Sequence, residues 1–227
     1  RFHRTLMILE EGASATLMER FLSRKDEDAS VVCSAANVVT APNAQAKRIL
    51  LQDLNLQSSF YQLDANRAER NACIRCCSLH LGSAQSRFEN LAAVAGEGAE
   101  IEMLGLAIGS GEQLFDQRTR QLHLAPNGRS DLLYKNALLE ESQAVFSGLI
   151  KVEESAQQTD AYQTNRNLLL SPSAEADSLP GLEILANEVK CSHGATTGEI
   201  DEEQLFYLRS RGIPKATAEE LLVLGFL

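Results

Sequence analysis

A cysteine and a histidine stand two positions apart in EVKCSHGATTGEIDEEQ, residues 188 to 204, followed by a glycine and then by what reads as the start of a helix. If VKCSH is the last strand, Val189, Cys191 and His193 share one face while Lys190 and Ser192 share the other. Residues i and i+2 of a strand lie about 6 to 7 Å apart at the backbone. From there a thiolate and an imidazole can lean onto one soft or borderline metal, at about 2.3 Å for sulfur and about 2.0 Å for nitrogen in a zinc-like case. Two ligands do not complete a site, so the remaining donors would come from elsewhere in the chain, from a partner or from the cargo. On spacing alone, a buried thiol beside a surface histidine is favoured over a ligand pair.

The other candidate groups are weaker. CIRCC, residues 73 to 77, invites a metal reading, but no second C-x-x-C or H-x-x-x-H follows it. In a strand Cys73 and Cys76 face opposite sides and Cys77 rejoins Cys73, which suits small hydrophobes. GLAIGSGEQL, residues 105 to 114, has glycines without the Lys-Ser/Thr of a P-loop, and turn glycines between stacked strands explain it better. No G-x-S-x-G is present for nucleophilic hydrolysis. His3, His80 and His123 are isolated. Leu122 and Leu124 flank His123 on the opposite face of their strand, a pattern that predicts an exposed imidazole there.

These groups sit in an acidic chain of 227 residues with 31 acidic and 21 basic side chains, a formal net charge of -10. No basic cluster stands out, so a phosphate-tracking surface for nucleic acid is not expected. The longest apolar runs, such as LLVLGFL, are too short to span a bilayer. Five cysteines, an odd number, in a chain too large to need staples suggest reduced thiols and an intracellular, soluble protein. The opening RFHRTLMILE and the apolar close suggest a fragment of a longer chain.

From residue 1 to about 190 the sequence is a series of short runs of alternating apolar residues broken by polar or glycine-containing segments. Leu79 and Leu81, Ile101 and Met103, and Leu122 and Leu124 are period-two pairs. Helical stripes of twelve residues are hard to find before residue 200, which disfavours a βαβ layout. A sandwich, a barrel and a solenoid remain. Stretches such as GAEIEMLGLAIGSGEQLFDQRT and RQLHLAPNGRSDLLYKNALLEES fit a solenoid coil of about 20 to 30 residues with polar corners. Sparse aromatics, with 8 Phe, 4 Tyr and no Trp, tip the balance the same way.

After Gly198 the sequence changes character. IDEEQLFYLRSRGIPKATAEELLVLGFL reads as two helices. Asp201 caps the first, with Gln204 spaced to reach back, and Gly212 and Pro214 end it. Thr217 and Glu220 repeat the capping-box spacing for the second. The expected division is a β core over 1–198 and a truncated helical region over 199–227.

HLAPNGRSDLLYKNAL, VFSGLIKV, AQQTDAYQTNRNLLLS, LPGLEILANEVKCSHGATTGEIDEEQLFYLRSRGI and AEELLVLGF together resemble the SufB/SufD family of iron–sulfur cluster assembly proteins. The resemblance is dense from about residue 120 to the end and looser before it. EVKCSHGAT resembles the SufD type. SufB-type chains lack this C-x-H and carry a cysteine within the segment corresponding to LLLSPSAEADSLPGLE, which has none here.

What the resemblance implies is a right-handed parallel β-helix with a short α-helical C-terminal extension, acting as a non-catalytic subunit. It implies a SufB-type subunit meeting the end of the β-helix near residues 170 to 197, and a SufC-type ATPase docking on the C-terminal helices at Phe206, Tyr207, Leu208, Arg209 and Arg211. Cys191 and His193 match positions where iron or an iron–sulfur cluster is held transiently between subunits, with none expected on this chain alone. Separately, an exposed terminal coil with unpaired backbone groups would favour a homodimer through the last strands, and the expected location is the bacterial cytoplasm or the plastid stroma. The competing reading is a β-helix polysaccharide lyase or hydrolase, which needs a ladder of Asp, Arg or Lys along one coil face, and no such ladder is visible.

Overall fold

Alternation of side chains along each apolar run produces strands throughout the first 199 residues. The computed structural model describes residues 1–24 and 28–227. Among them are β1 Phe2–Leu9, β2 Ser14–Leu22, β3 Val31–Thr40, β4 Gln45–Asp53, β5 Ser59–Ala68, β6 Cys73–His80 and β7 Gln85–Val94. The series continues with β8 Glu100–Gly109, β9 Leu114–His123, β10 Arg129–Leu138, β11 Gln143–Val152, β12 Asp160–Leu169, β13 Glu175–Ile184 and β14 Lys190–Glu199. Helices α1 Glu202–Ser210 and α2 Lys215–Phe226 follow.

Odd-numbered strands stack into one seven-stranded sheet in the order β1-β3-β5-β7-β9-β11-β13, and even-numbered strands form a second in the order β2-β4-β6-β8-β10-β12-β14. The pairings are parallel, as in β10 with β12 and β7 with β9. A chain that passes from one sheet to the other and back, advancing one strand each time, is a parallel β-helix. The mainly β solenoid with a helical end, expected above, is the fold observed. No helix among the described residues is long and apolar enough to cross a membrane.

One corner column explains how the coils stay in step. Gly12, Asn43, Asn71, Gly98, Asn127 and Gln158 each have positive φ, between 56° and 70°. Glycine and asparagine tolerate that left-handed region best, and they hold five of the six positions. Each donates its backbone N–H to a carbonyl of the next coil, Gly12 to Pro42, Asn43 to Arg70 and Asn71 to Glu97 among them. The small and polar corners expected of a solenoid are thus stacked hydrogen-bonding positions.

Registration carries inward residues into columns. Ala46, Ile74, Ile101, Ser130, Ala161 and Cys191 form one; Arg48, Cys76, Met103, Leu132, Gln163 and His193 form the next. Apolar clusters fill three regions of the described interior. One includes Val38, Ile74, Ile101 and Leu132, a second Leu50, Phe60, Phe88, Phe115 and Leu138, and a smaller third Ile150 and Val152. Full burial of such a side chain is worth about 1.5–3 kcal/mol each. Polar side chains are buried among them. Arg48 Nε donates to Glu19 and Nη1 to Asp64, both at 2.6 Å. Toward the last coils, Asn136 Nδ2 donates to Asn167 at 2.8 Å and Gln117 Nε2 donates to Asn136 at 2.9 Å.

Two expectations are corrected here. His123 is not exposed: it is fully buried, with Nε2 2.7 Å from Ser130 Oγ, and burial lowers its pKa to about 4. Leu122 and Leu124 do lie on the opposite face from it, but that face is the outer one. In this solenoid leucines line parts of the outside while amides and imidazoles fill parts of the inside, so apolar identity alone does not mark the core. The second helix is not capped by Thr217. It begins at Lys215 with Pro214 as N-cap, no side chain caps it, and Thr217 lies within its first turn. Pro214 cannot donate a backbone N–H and its fixed φ of -57° suits helix entry.

Candidate metal centre at the open end of the solenoid

β14 is longer than VKCSH predicts. It runs from Lys190 to Glu199, so Cys191 and His193 lie at its start. In the even sheet β14 pairs with β12 and is the last strand among the described residues, leaving its outer edge without a ladder. Because β14 stays in register, Cys191 stacks on Ala161 and His193 on Gln163. Both side chains therefore belong to inward columns, but at the mouth, where no further coil covers them.

Burial divides the pair. Cys191 is half-buried against the small cluster of Ile150, Val152, Ala156, Ala161 and Ala186. Burial pushes its thiol pKa up, Asp160 adds to that, and a backbone hydrogen bond at Ala161 opposes it. The thiol is thus protonated at neutral pH, and a metal would displace that proton. His193 is exposed to solvent. The expectation that the two residues share a face holds.

Beneath the mouth part of the interior is polar. Asn167 Nδ2 donates to Thr197 Oγ1 and to Ser178 Oγ, each at 3.2 Å, and Ser178 Oγ donates to Asn165 at 2.6 Å. Gln163, 1 % exposed, has no hydrogen-bond partner on either amide atom among the described residues. Nothing in YQTNRN marks it, because that stretch reads as a solvated strand segment.

Among the described residues no group of three or more His, Cys, Asp and Glu side chains is placed to hold a metal ion. The chain contributes a soft thiol and an imidazole, a donor set that suits iron or an iron–sulfur species and needs further donors to close. The CIRCC cysteines join nothing: Cys76 points inward with its thiol pushed up to about 12 by burial, while Cys73 and Cys77 face outward and are half-buried. All five cysteines are free.

The residues expected at an ATPase contact lie on α1 and just past it. Asp201 caps this helix as expected, its carboxylate accepting from the backbone N–H of Glu203 and Gln204. Leu205 turns inward and is buried, leaving Phe206 73 % and Tyr207 56 % exposed. Leu208 is half-buried, Arg209 is exposed, and the exposed Arg211 guanidinium lies 5.2 Å from the centre of the Tyr207 ring. Two neighbouring aromatics held in solvent beside arginines form an apolar and cationic patch.

Known proteins are similar to this sequence. Residues 1–226 match the family described as SUF system FeS cluster assembly, SufBD core domain. Iron-sulfur cluster assembly protein SufD of Escherichia coli is 38% identical over 219 residues, covering 96% of this chain and 51% of that protein. Protein ABCI7, chloroplastic, of Arabidopsis thaliana is 32% identical over 98% of this chain and 47% of its own length. Iron-sulfur cluster assembly protein SufD of Bacillus subtilis is 29% identical over 100% of this chain and 52% of its own. The chain spans about half the length of the curated relatives it matches. It belongs to the SufB/SufD family, and within it to the SufD type.

Proposed function

We propose that this chain is the β-helical core of a SufD-like, non-catalytic subunit of a SufBCD complex, and that iron or a nascent iron–sulfur cluster is its cargo. The observation that carries the reading is the place of Cys191 and His193: two inward-column donors on the last strand of the even sheet, whose outer edge has no ladder among the described residues. A SufB-type subunit docking against that edge would complete the backbone ladder and supply the missing ligands in the same contact. The cargo is then held between subunits, in the bacterial cytoplasm or plastid stroma.

The exposed aromatics of α1 support a second contact, with a SufC-type ATPase at Phe206, Tyr207, Leu208, Arg209 and Arg211. Nucleotide can rearrange the cargo interface only if nucleotide-bound ATPase prefers one arrangement of the pair over the other. Two residues, 200 and 201, link the end of β14 to α1. Docking on α1 thus bears directly on the strand that carries the ligands.

Anaerobic reconstitution with iron and sulfide, with and without a SufB-type partner, tests the reading by visible absorbance. Colour should depend on the partner, and Cys191→Ala and His193→Ala in the full-length protein should lower iron loading while the complex still assembles. Unchanged loading in both variants would sink the site.

A further inference from the structure

We propose that Gln163 is the positioning residue of the Cys191 and His193 site: its side-chain carbonyl accepts the N–H of one His193 ring nitrogen, so that the lone pair of the other is presented at the mouth. The inference rests on the reading of Cys191 and His193 as cargo ligands.

Gln163 and His193 are register partners on β12 and β14. Parallel neighbours stand about 4.8 Å apart and send side chains at paired positions to the same side. Gln163 is 1 % exposed, yet neither Oε1 nor Nε2 has a partner among the described residues. Its buried neighbours differ, since Asn165, Asn167 and Asn136 all take part in hydrogen bonds across coils. An amide buried without a partner is costly, and one that persists calls for a reason.

The surroundings narrow the choice of partner. A Cβ on Gly148 would stand 2.4 Å from Gln163 Oε1 and 2.6 Å from Nε2, so the amide reaches across the interior to the bare backbone of β11. In the layer nearer the mouth, Gly148 is followed on β13 by Pro180, which offers neither an N–H nor a polar side chain. Leu132, behind Gln163 on β10, is apolar. His193 is the polar side chain that remains on the mouth side. Away from the mouth the competitor is Thr119, the register neighbour of Gly148, whose buried hydroxyl is also without a partner among the described residues. A metal-bound histidine as a rule donates its second ring N–H to a carbonyl or carboxylate, which fixes the tautomer and aims the ligating nitrogen. Gln163 is the group in place to do that here.

The test reads the tautomer of His193 by nitrogen-15 NMR of the histidine-labelled chain at about pH 8, where an ordinary imidazole is neutral. The buried rings of His80 and His123 serve as internal controls for the fold. One tautomer of His193 should dominate; Gln163→Met should give a mixture, Gln163→Glu should restore the single form by keeping an acceptor, and Thr119→Val should leave it unchanged. Iron loading with a SufB-type partner should fall roughly 10-fold or more in Gln163→Met, the range seen for outer partners of metal ligands. A His193 tautomer that ignores Gln163→Met, or that shifts with Thr119→Val, overturns the positioning role. Undiminished iron loading in His193→Ala would instead overturn the ligand reading on which the proposal rests, so the two failures are distinct.

Discussion

Lys135 and Phe226 tie the helical end to the β body. The Lys135 ammonium, on the outer face of β10, donates to the Phe226 carbonyl at 2.7 Å and lies 5.4 Å from the centre of its ring. A cation at the C-terminal end of a helix satisfies orphan carbonyls and complements the helix dipole, worth about 1 kcal/mol when partly exposed. Lys135→Met should therefore lower amide-exchange protection in α2 by roughly fivefold. Protection in β8 and β10 should hold, and an equal loss there would mean that the lysine supports the sheet instead.

Arg48 is a cation buried between two acids of different coils. It is 2 % exposed and holds Glu19 and Asp64 at 2.6 Å each. Arg48→Met strands both carboxylates in the interior and should cost about 3–5 kcal/mol in denaturant unfolding. The triple change Glu19→Gln, Arg48→Met, Asp64→Asn should recover most of that loss. A single variant as stable as the parent would show that water, not the protein, solvates these acids.

Gly105 leaves room for the ring of Tyr134, its register partner on β10. A Cβ at residue 105 would stand 2.7 Å from Tyr134 Cδ1 and 2.8 Å from Cε1. Tyr134 is buried, so the ring has little space to retreat. Gly105→Ala should destabilise by about 1–3 kcal/mol through overpacking. Combining it with Tyr134→Leu should cost less than the sum of the two changes, and strict additivity would rule out the contact as the cause.

His123 gives stability a dependence on pH. Burial lowers its pKa to about 4, against an unfolded value of 6.5. Between those values the unfolded chain binds the extra proton, so the contribution is complete above about pH 6.5 and is lost progressively as pH falls to about 4. His80, lowered to about 3 by burial and by the Arg48 charge, extends the same loss further down. His123→Gln should flatten the stability curve between pH 6.5 and 4 in urea titrations. A slope equal to the parent's would place the titrating group elsewhere.

The solenoid was legible because its strands, coil length and corner residues are local signals: Asn43, Asn71 and Asn127 sit at the left-handed corners where a small polar residue is needed. Asp201 was legible as a cap for the same reason. The face of each strand was less so, since an interior holding Arg48, Gln117 and His123 beside outward Leu104 and Leu122 reverses the usual association of apolar with inside. Cys191 and His193 could be paired by spacing, but only the register of β14 on β12 puts them in inward columns at an uncovered end. Gln163 could not be found at all, because its meaning comes from Gly148 on the facing sheet and His193 one coil on.

A stack of parallel strands has two unlike ends, β1 and β2 at one and β13 and β14 at the other. If the last edge met the first edge of another molecule, the contact would repeat, closing into a ring or growing into a fibre; if like ends meet across a twofold or pseudo-twofold axis, growth stops at two. A two-subunit assembly of such stacks through β14 takes the second course. A pairing through the outer edge of β14 would thus set both the size of the assembly and the surroundings of Cys191 and His193.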